Sequence, residues 1–155
     1  MDFRISGCRR RPRLCATQAA RDLPHCGQLR DKAEDCELPI TLVYGQRTRA
    51  ELYYHDEFMA LAERYSNFNY VPALSGESEG SEWQGFRGFV HEAEKAHFNN
   101  DFRGNKAYLC GPPLMIDACI STLMPGRLFE RDIYSEKFIS AGDAQQVRSP
   151  LFRSI

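Results

Sequence analysis

The sequence is poor in most of the features that would place a protein in a functional class at a glance. None of its apolar runs approaches the roughly 20 residues that a membrane-spanning helix needs. It has no charge excess of either sign: 20 Lys and Arg stand against 21 Asp and Glu, for a net charge of −1. A general electrostatic binder of nucleic acid would carry a strong positive surplus, so that class is excluded. Of the six cysteines, at positions 8, 15, 26, 36, 110 and 119, no two are spaced C-x2-C. Zinc knuckles, zinc ribbons and the usual iron–sulfur patterns are excluded with them. The eleven glycines include no G-x-G pair, so the glycine-rich turn that cradles a pyrophosphate is not in view. The basic run Arg9–Arg13 leads into Leu14, Cys15 and polar residues rather than into the apolar core of a signal peptide. These absences read as a cytoplasmic protein with no membrane or nucleic-acid partner, whose cysteines are reduced thiols.

What remains is ordinary globular text: 155 residues, 43% hydrophobic and 26% charged. That is enough to bury a core without a metal or a disulfide. The composition changes along the chain. Residues 1–30 carry seven Arg against two acids, and residues 1–37 hold four of the six cysteines, one Ile and no Val. This head shows neither a period of two nor a period of 3.6 and reads as a non-native or disordered extension. Residues 38–141 form the folded unit, and 142–155 a polar tail.

Within that unit, Ile40–Tyr44 is a continuous β-branched and aromatic run closed by Gly45, the signature of a strand buried on both faces. Arg49–Arg64 reads as a helix, Phe68–Leu74 as a strand, and 75–85 as a loop. Phe86–Phe98 reads as a segment that turns helical by His91, Lys106–Cys110 as a strand, Leu114–Met124 as a helix and Arg131–Phe138 as a last strand. Strands alternating with helices imply an α/β fold, a parallel sheet with helices on both faces. Ligands in such sheets bind outside the carboxyl ends of the strands. The residues just after each strand are therefore the site candidates.

Cys110-Gly111-Pro112-Pro113-Leu114-Met115 is the strongest of these. Glycine after a buried strand lets the backbone approach a ligand closely. The prolines stiffen the turn into a helix whose N-terminal end carries partial positive charge. A lone cysteine there is more often a packing residue, and the full hexapeptide is what favours a site.

This hexapeptide resembles the nicotinamide-side motif of the ferredoxin–NAD(P)H reductase superfamily. Tyr44-Gly45-Gln46-Arg47 with Glu51-Leu52-Tyr53-Tyr54 resembles its adenosine-side segment. Val71-Pro72-Ala73-Leu74-Ser75, Trp83-Gln84-Gly85, Gly88-Phe89-Val90-His91, and the run from Arg127 to Tyr134 with Glu136-Lys137-Phe138 continue the likeness. The stretch from about Leu38 to Ala141 is similar to the C-terminal domain of the reductase component of multicomponent phenol hydroxylases and toluene monooxygenases.

The resemblance implies a Rossmann-like NAD-binding domain that takes NADH. In the complete reductases, electrons pass through FAD and a [2Fe–2S] cluster, on domains absent here, to a di-iron hydroxylase. It implies Gly45 and Arg47 near the adenosine ribose, and Leu74 and Ser75 lining the cleft. It places Cys110, Gly111, Pro112, Pro113 and Met115 near the nicotinamide, with Cys110 in the catalytic position, and Phe138 facing the flavin. Arg47 and Arg49 leave NADPH open, since an arginine near the ribose accommodates a 2′-phosphate. His91 and His97 read as surface or packing residues. The family's opening strand and glycine-rich turn should precede Leu38. The text there matches neither, so the sheet is expected to lack its first, central strand. The alternatives are a weakly binding or inactive fragment, or an interaction module with a basic head.

Overall fold

The structure is a computed structural model that describes the backbone course of residues 13–17 and, in full, residues 38–137. Among the described residues, six strands form one sheet: β1 (Arg13–Thr17), β2 (Ile40–Gln46), β3 (Phe68–Leu74), β4 (Phe86–Arg87), β5 (Lys106–Gly111) and β6 (Ile133–Lys137). Their order is β4-β3-β2-β1-β5-β6, and every pair is parallel. Three helices connect them among the described residues: α1 (His55–Arg64), α2 (Val90–His97) and α3 (Pro113–Leu123).

The parallel sheet follows from the strand sequences. Ile40, Leu42 and Tyr44 point to one face and Val43 to the other, and all four are buried. Only a strand covered on both faces tolerates that pattern. On the first face, Phe58 and Leu61 of α1 pack with Ile40, Leu42, Tyr44, Phe68, Leu74 and Trp83. On the second, α2 and α3 bring Val90, Ala93, Met115, Ile116, Cys119 and Leu123 onto Val43, Ala73, Ala107 and Leu109. Both faces thus carry helices, as the alternation implied.

The central strand is present, contrary to the expectation from the sequence. Arg13–Thr17 pairs in parallel with Ile40–Tyr44 on one side and with Lys106–Cys110 on the other. Its residue types give no strand signal, but a strand flanked on both sides takes its conformation from two backbone ladders rather than from propensity. The remainder of the head, the tail 142–155 and Phe138 lie outside the described residues.

Three boundaries also differ. The expected helix Arg49–Arg64 is a 3-10 turn, Arg49–Glu51, followed after a break by α1. The Glu51 carboxylate folds back to accept hydrogen bonds from the Thr48 backbone N–H (2.9 Å) and hydroxyl (3.1 Å). Tyr54 then adopts a left-handed conformation (φ 57°) that no helix continues through. The expected Phe86–Phe98 segment divides into the short strand β4 and α2. The last strand begins at Ile133, because Glu130–Asp132 is a 3-10 turn. Among the described residues no helix is long and apolar enough to cross a membrane.

Candidate functional site

From β1 the chain moves outward to β2, β3 and β4, then returns to place β5 and β6 on the other side. The strand order therefore reverses beside β1, and a crevice opens above the carboxyl ends there. The structure has a cleft of about 350 Å³ at that edge, lined by Gly45, Gln46, Ser75, Gly88, Phe89, Val90, His91, Pro112, Leu114, Met115 and Ala118.

One wall is built by the ends of β2 and β3. Beyond the ladder, the Ser75 N–H donates to the Gln46 carbonyl (3.0 Å) and the Gly76 N–H to the Arg47 carbonyl (2.8 Å). The Gln46 side chain donates to the Tyr44 hydroxyl (3.1 Å), so the polar group at the cleft is held by a buried ring. The Gly88 N–H donates to the Leu74 carbonyl (2.9 Å), which ties the approach to α2 onto the end of β3. Gly45 has to be glycine, because a Cβ there would overlap the Val90 methyl. The first turn of α2 thus lies directly against the β2 end.

The opposite wall is the turn from β5 into α3. Gly111, at φ 156°, holds a conformation that L side chains rarely adopt. The Pro112 carbonyl accepts the Ile116 N–H (3.1 Å), and Pro113 is the first helical residue. No acid lies in the first turn of α3, so its partial positive end is uncompensated from within the helix. At α2, by contrast, the Glu92 carboxylate already accepts the Phe89 N–H (2.8 Å). Apolar side chains complete the cleft. Leu114 (84% exposed) and Phe89 (57% exposed) stand at its rim, and the His91 ring stacks on Phe89 at 5.8 Å.

Four of the residues anticipated from the sequence meet in this cleft: Gly45, Ser75, Pro112 and Met115. Gly111 is buried and Pro113 half-buried in the same turn. Cys110, half-buried at the end of β5, is not among the lining residues. Arg47 is exposed beside the cleft and contributes its carbonyl. Leu74 does not line the cleft. It is fully buried on the α1 face, where strand alternation puts it with Phe68. His91 moves the other way: it lines the cleft. Gln46, Gly88, Phe89, Val90, Leu114 and Ala118 complete the set that sequence reasoning did not assign. The signal for Gly88 and its neighbours was the strand end at β4, too short at two residues to be visible as a strand.

The profile of the oxidoreductase NAD-binding domain matches residues 24–120. The match starts inside the head rather than at Leu38, where the likeness was expected to begin. The reductase component DmpP of phenol 2-monooxygenase from Pseudomonas sp. strain CF600 is 59% identical over 118 residues, covering 75% of this chain and 33% of that protein. The phenol hydroxylase P5 protein of Acinetobacter pittii strain PHEA-2 is 54% identical over 118 residues, again 75% of this chain and 33% of that protein. The chain therefore spans about a third of the length of these relatives. Among solved structures, the Amycolatopsis cytochrome P450 reductase GcoB superposes with a TM-score of 0.69 at 29% identity, covering 82% of this chain and 38% of that one. With the strand-order reversal, the glycine-lined cleft and the Gly111-Pro112-Pro113 turn, these matches show that the chain belongs to the oxidoreductase NAD-binding domain family.

Proposed function

We propose that the cleft binds NADH and presents its nicotinamide to a flavin carried by another domain of a longer reductase, which passes electrons through FAD and a [2Fe–2S] cluster to a di-iron hydroxylase of phenol type. One observation carries this reading: Gly45, Ser75, Pro112 and Met115, from three separate strand ends, converge on a single cleft at the point where strand order reverses. Bound NADH supplies a hydride from its nicotinamide ring, and the residues of this chain bind and orient it.

The donor set fits such a ligand. Val90, Met115 and Leu114 give an apolar slot for a planar ring, and Gln46 and Ser75 supply polar groups toward the ribose. The first turn of α3 offers unshared partial positive charge to a carboxamide or phosphate oxygen. The adenosine half extends along the β2 and β3 ends toward Arg47. Cys110, Gly111 and Pro113 shape the turn beside the nicotinamide, with Cys110 at the catalytic end of β5. Phe138, the next residue in the sequence after β6, is the one that the family resemblance assigns to the flavin side.

At the β2 end Glu51 is committed to Thr48, and Glu77 accepts the Arg49 N–H (3.4 Å). Both carboxylates keep their charge beside Arg47, which favours NADH over a dinucleotide carrying a 2′-phosphate. Calorimetric titration of the full chain with NADH and NADPH tests the reading. A dissociation constant of about 1 mM or tighter for NADH, weakened by Met115→Gln, is expected. No heat from either nucleotide at several millimolar would refute it. Reconstitution with the flavin-bearing portion of a relative tests the electron-transfer role separately.

A further inference from the structure

Glu94 lies in the apolar core behind the cleft. It is 0% exposed, and no N–H or O–H donor reaches either carboxylate oxygen. The polar group that faces it is the thiol of Cys119, also fully buried, across the contact between α2 and α3. Among the described residues, no other titratable side chain belongs to the core packed against this side of α2, and Thr41, two residues before Val43 on β2, is a buried hydroxyl on the same sheet face. β2 and β3 present Val43, Val71 and Ala73, β5 presents Ala107 and Leu109, and the segment after α2 presents Phe98 and Phe102. The other charged or titratable residues of α2, namely His91, Glu92, Lys95 and His97, are half-buried or exposed.

The pair is coupled to the cleft by position. Val90 and His91, one turn before Glu94, line the cleft, as do Met115 and Ala118, within one turn before Cys119. A carboxylate charged in such surroundings must reach water or a cation. Within that core the polar neighbour of Glu94 is Cys119, so the α2–α3 contact is where the charge would have to be relieved.

We propose that Glu94 and Cys119 form a protonation-dependent clasp: neutral Glu94 holds α2 and α3 together behind the cleft, and its ionisation parts the two helices and loosens the bound dinucleotide. The proposal rests on the reading of the cleft as a dinucleotide site. Burial, the dominant influence, lifts the Glu94 carboxyl to about 8. The Cys119 thiol is pushed up by burial and, secondarily, by Glu94. A bound state that admits only neutral Glu94 loses affinity about tenfold between pH 7 and pH 9.

The test has two arms on the full chain. In the first, NADH affinity is titrated from pH 6.5 to 9.5 for the wild type, Glu94→Gln and Glu94→Met. The wild type is expected to weaken about tenfold between pH 7 and 9, and both uncharged variants to stay flat. A flat wild type, or the same weakening in the variants, overturns the proposal. In the second, iodoacetamide labelling of Cys119 is followed by peptide mapping at pH 9 without nucleotide. Cys119 of the wild type is expected to label several-fold faster than that of Glu94→Gln. Were thiol ionisation alone in control, removing the Glu94 charge would make the variant the faster of the two. Equal or reversed rates therefore overturn the clasp. If no protein binds NADH at any pH, the reading of the cleft fails, while the labelling ratio still decides the clasp.

Discussion

Replacing Glu94 with glutamine should stabilise the protein, and by an amount that depends on pH in a defined direction. In the unfolded chain a glutamate titrates near its ordinary value of 4.5, whereas in the folded chain Glu94 titrates near 8. Its folded-state value is raised. The carboxyl's contribution to stability is therefore fully present below the unfolded value and is lost as pH climbs from 4.5 toward 8. Across that window the wild type gives up about 1.4 kcal/mol per pH unit, which amounts to roughly 3 kcal/mol at pH 7 and about 5 kcal/mol beyond pH 8. The glutamine side chain has the shape of the protonated acid and no charge to bury, so the loss does not occur in the variant. The two proteins should unfold alike at pH 4.5 and diverge steadily above it. With a urea dependence of about 1–3 kcal/mol per molar, a 3 kcal/mol gap moves the midpoint by roughly 1–3 M at pH 7. Trp83 is the single tryptophan, is 7% exposed, and donates its indole N–H to the Phe86 carbonyl (3.1 Å). Its fluorescence reports unfolding from the sheet face opposite Glu94, so the signal is global. Midpoints that run parallel from pH 5 to 9, or a variant less stable than the wild type at pH 9, would show that Glu94 is not a neutral acid in the folded core.

Three further outcomes follow from the packing. Gly45→Ala puts a methyl into Val90 and should cost about 1–3 kcal/mol while weakening NADH in the titration above; unchanged midpoint and affinity would mean that α2 does not lean on the β2 end. Phe58→Ala removes a fully buried ring set against Tyr44 at 6.2 Å and Tyr70 at 5.3 Å and should cost about 3–5 kcal/mol. Because Phe58 lies in the α1 core, nucleotide affinity of the folded variant should hold, and a parallel loss of affinity would contradict the separation of the two cores. Deleting residues 1–37 removes β1 and leaves β2 and β5 as facing unpaired edges; the product should aggregate or elute expanded in size-exclusion chromatography, and a soluble monomer with a cooperative urea transition would show that β1 is dispensable.

What could be read from the sequence tracks how far each element depends on its own side chains. β2 announces itself because Ile40–Tyr44 must be apolar on two faces, and α3 because Pro112 and Pro113 mark its start. β1 is the opposite case: Arg13-Leu14-Cys15-Ala16-Thr17 has a single β-branched residue, and its conformation is imposed by backbone pairing from both sides, which no hydrophobic pattern records. β4 escapes for want of length. The break before α1 depends on a carboxylate that folds back to Thr48 and on one left-handed residue, a local hydrogen-bond choice that competes with helix. Around the cleft, the strand-end rule points to Gly45, Ser75, Pro112 and Met115, which line it, and to Leu74, which does not: Phe68 and Leu74 differ by an even number of residues and so share the opposite face. Glu94 carried a signal that was open to view. On a helix whose buried positions are Val90, Ala93 and Glu94, the acid occupies a place on the apolar stripe. An ionisable group where the fold asks for a hydrophobe is a conflict between local chemistry and global packing, and such conflicts persist at sites that serve a purpose other than stability. Its position one turn behind both helical walls makes the cleft the nearest beneficiary of that cost.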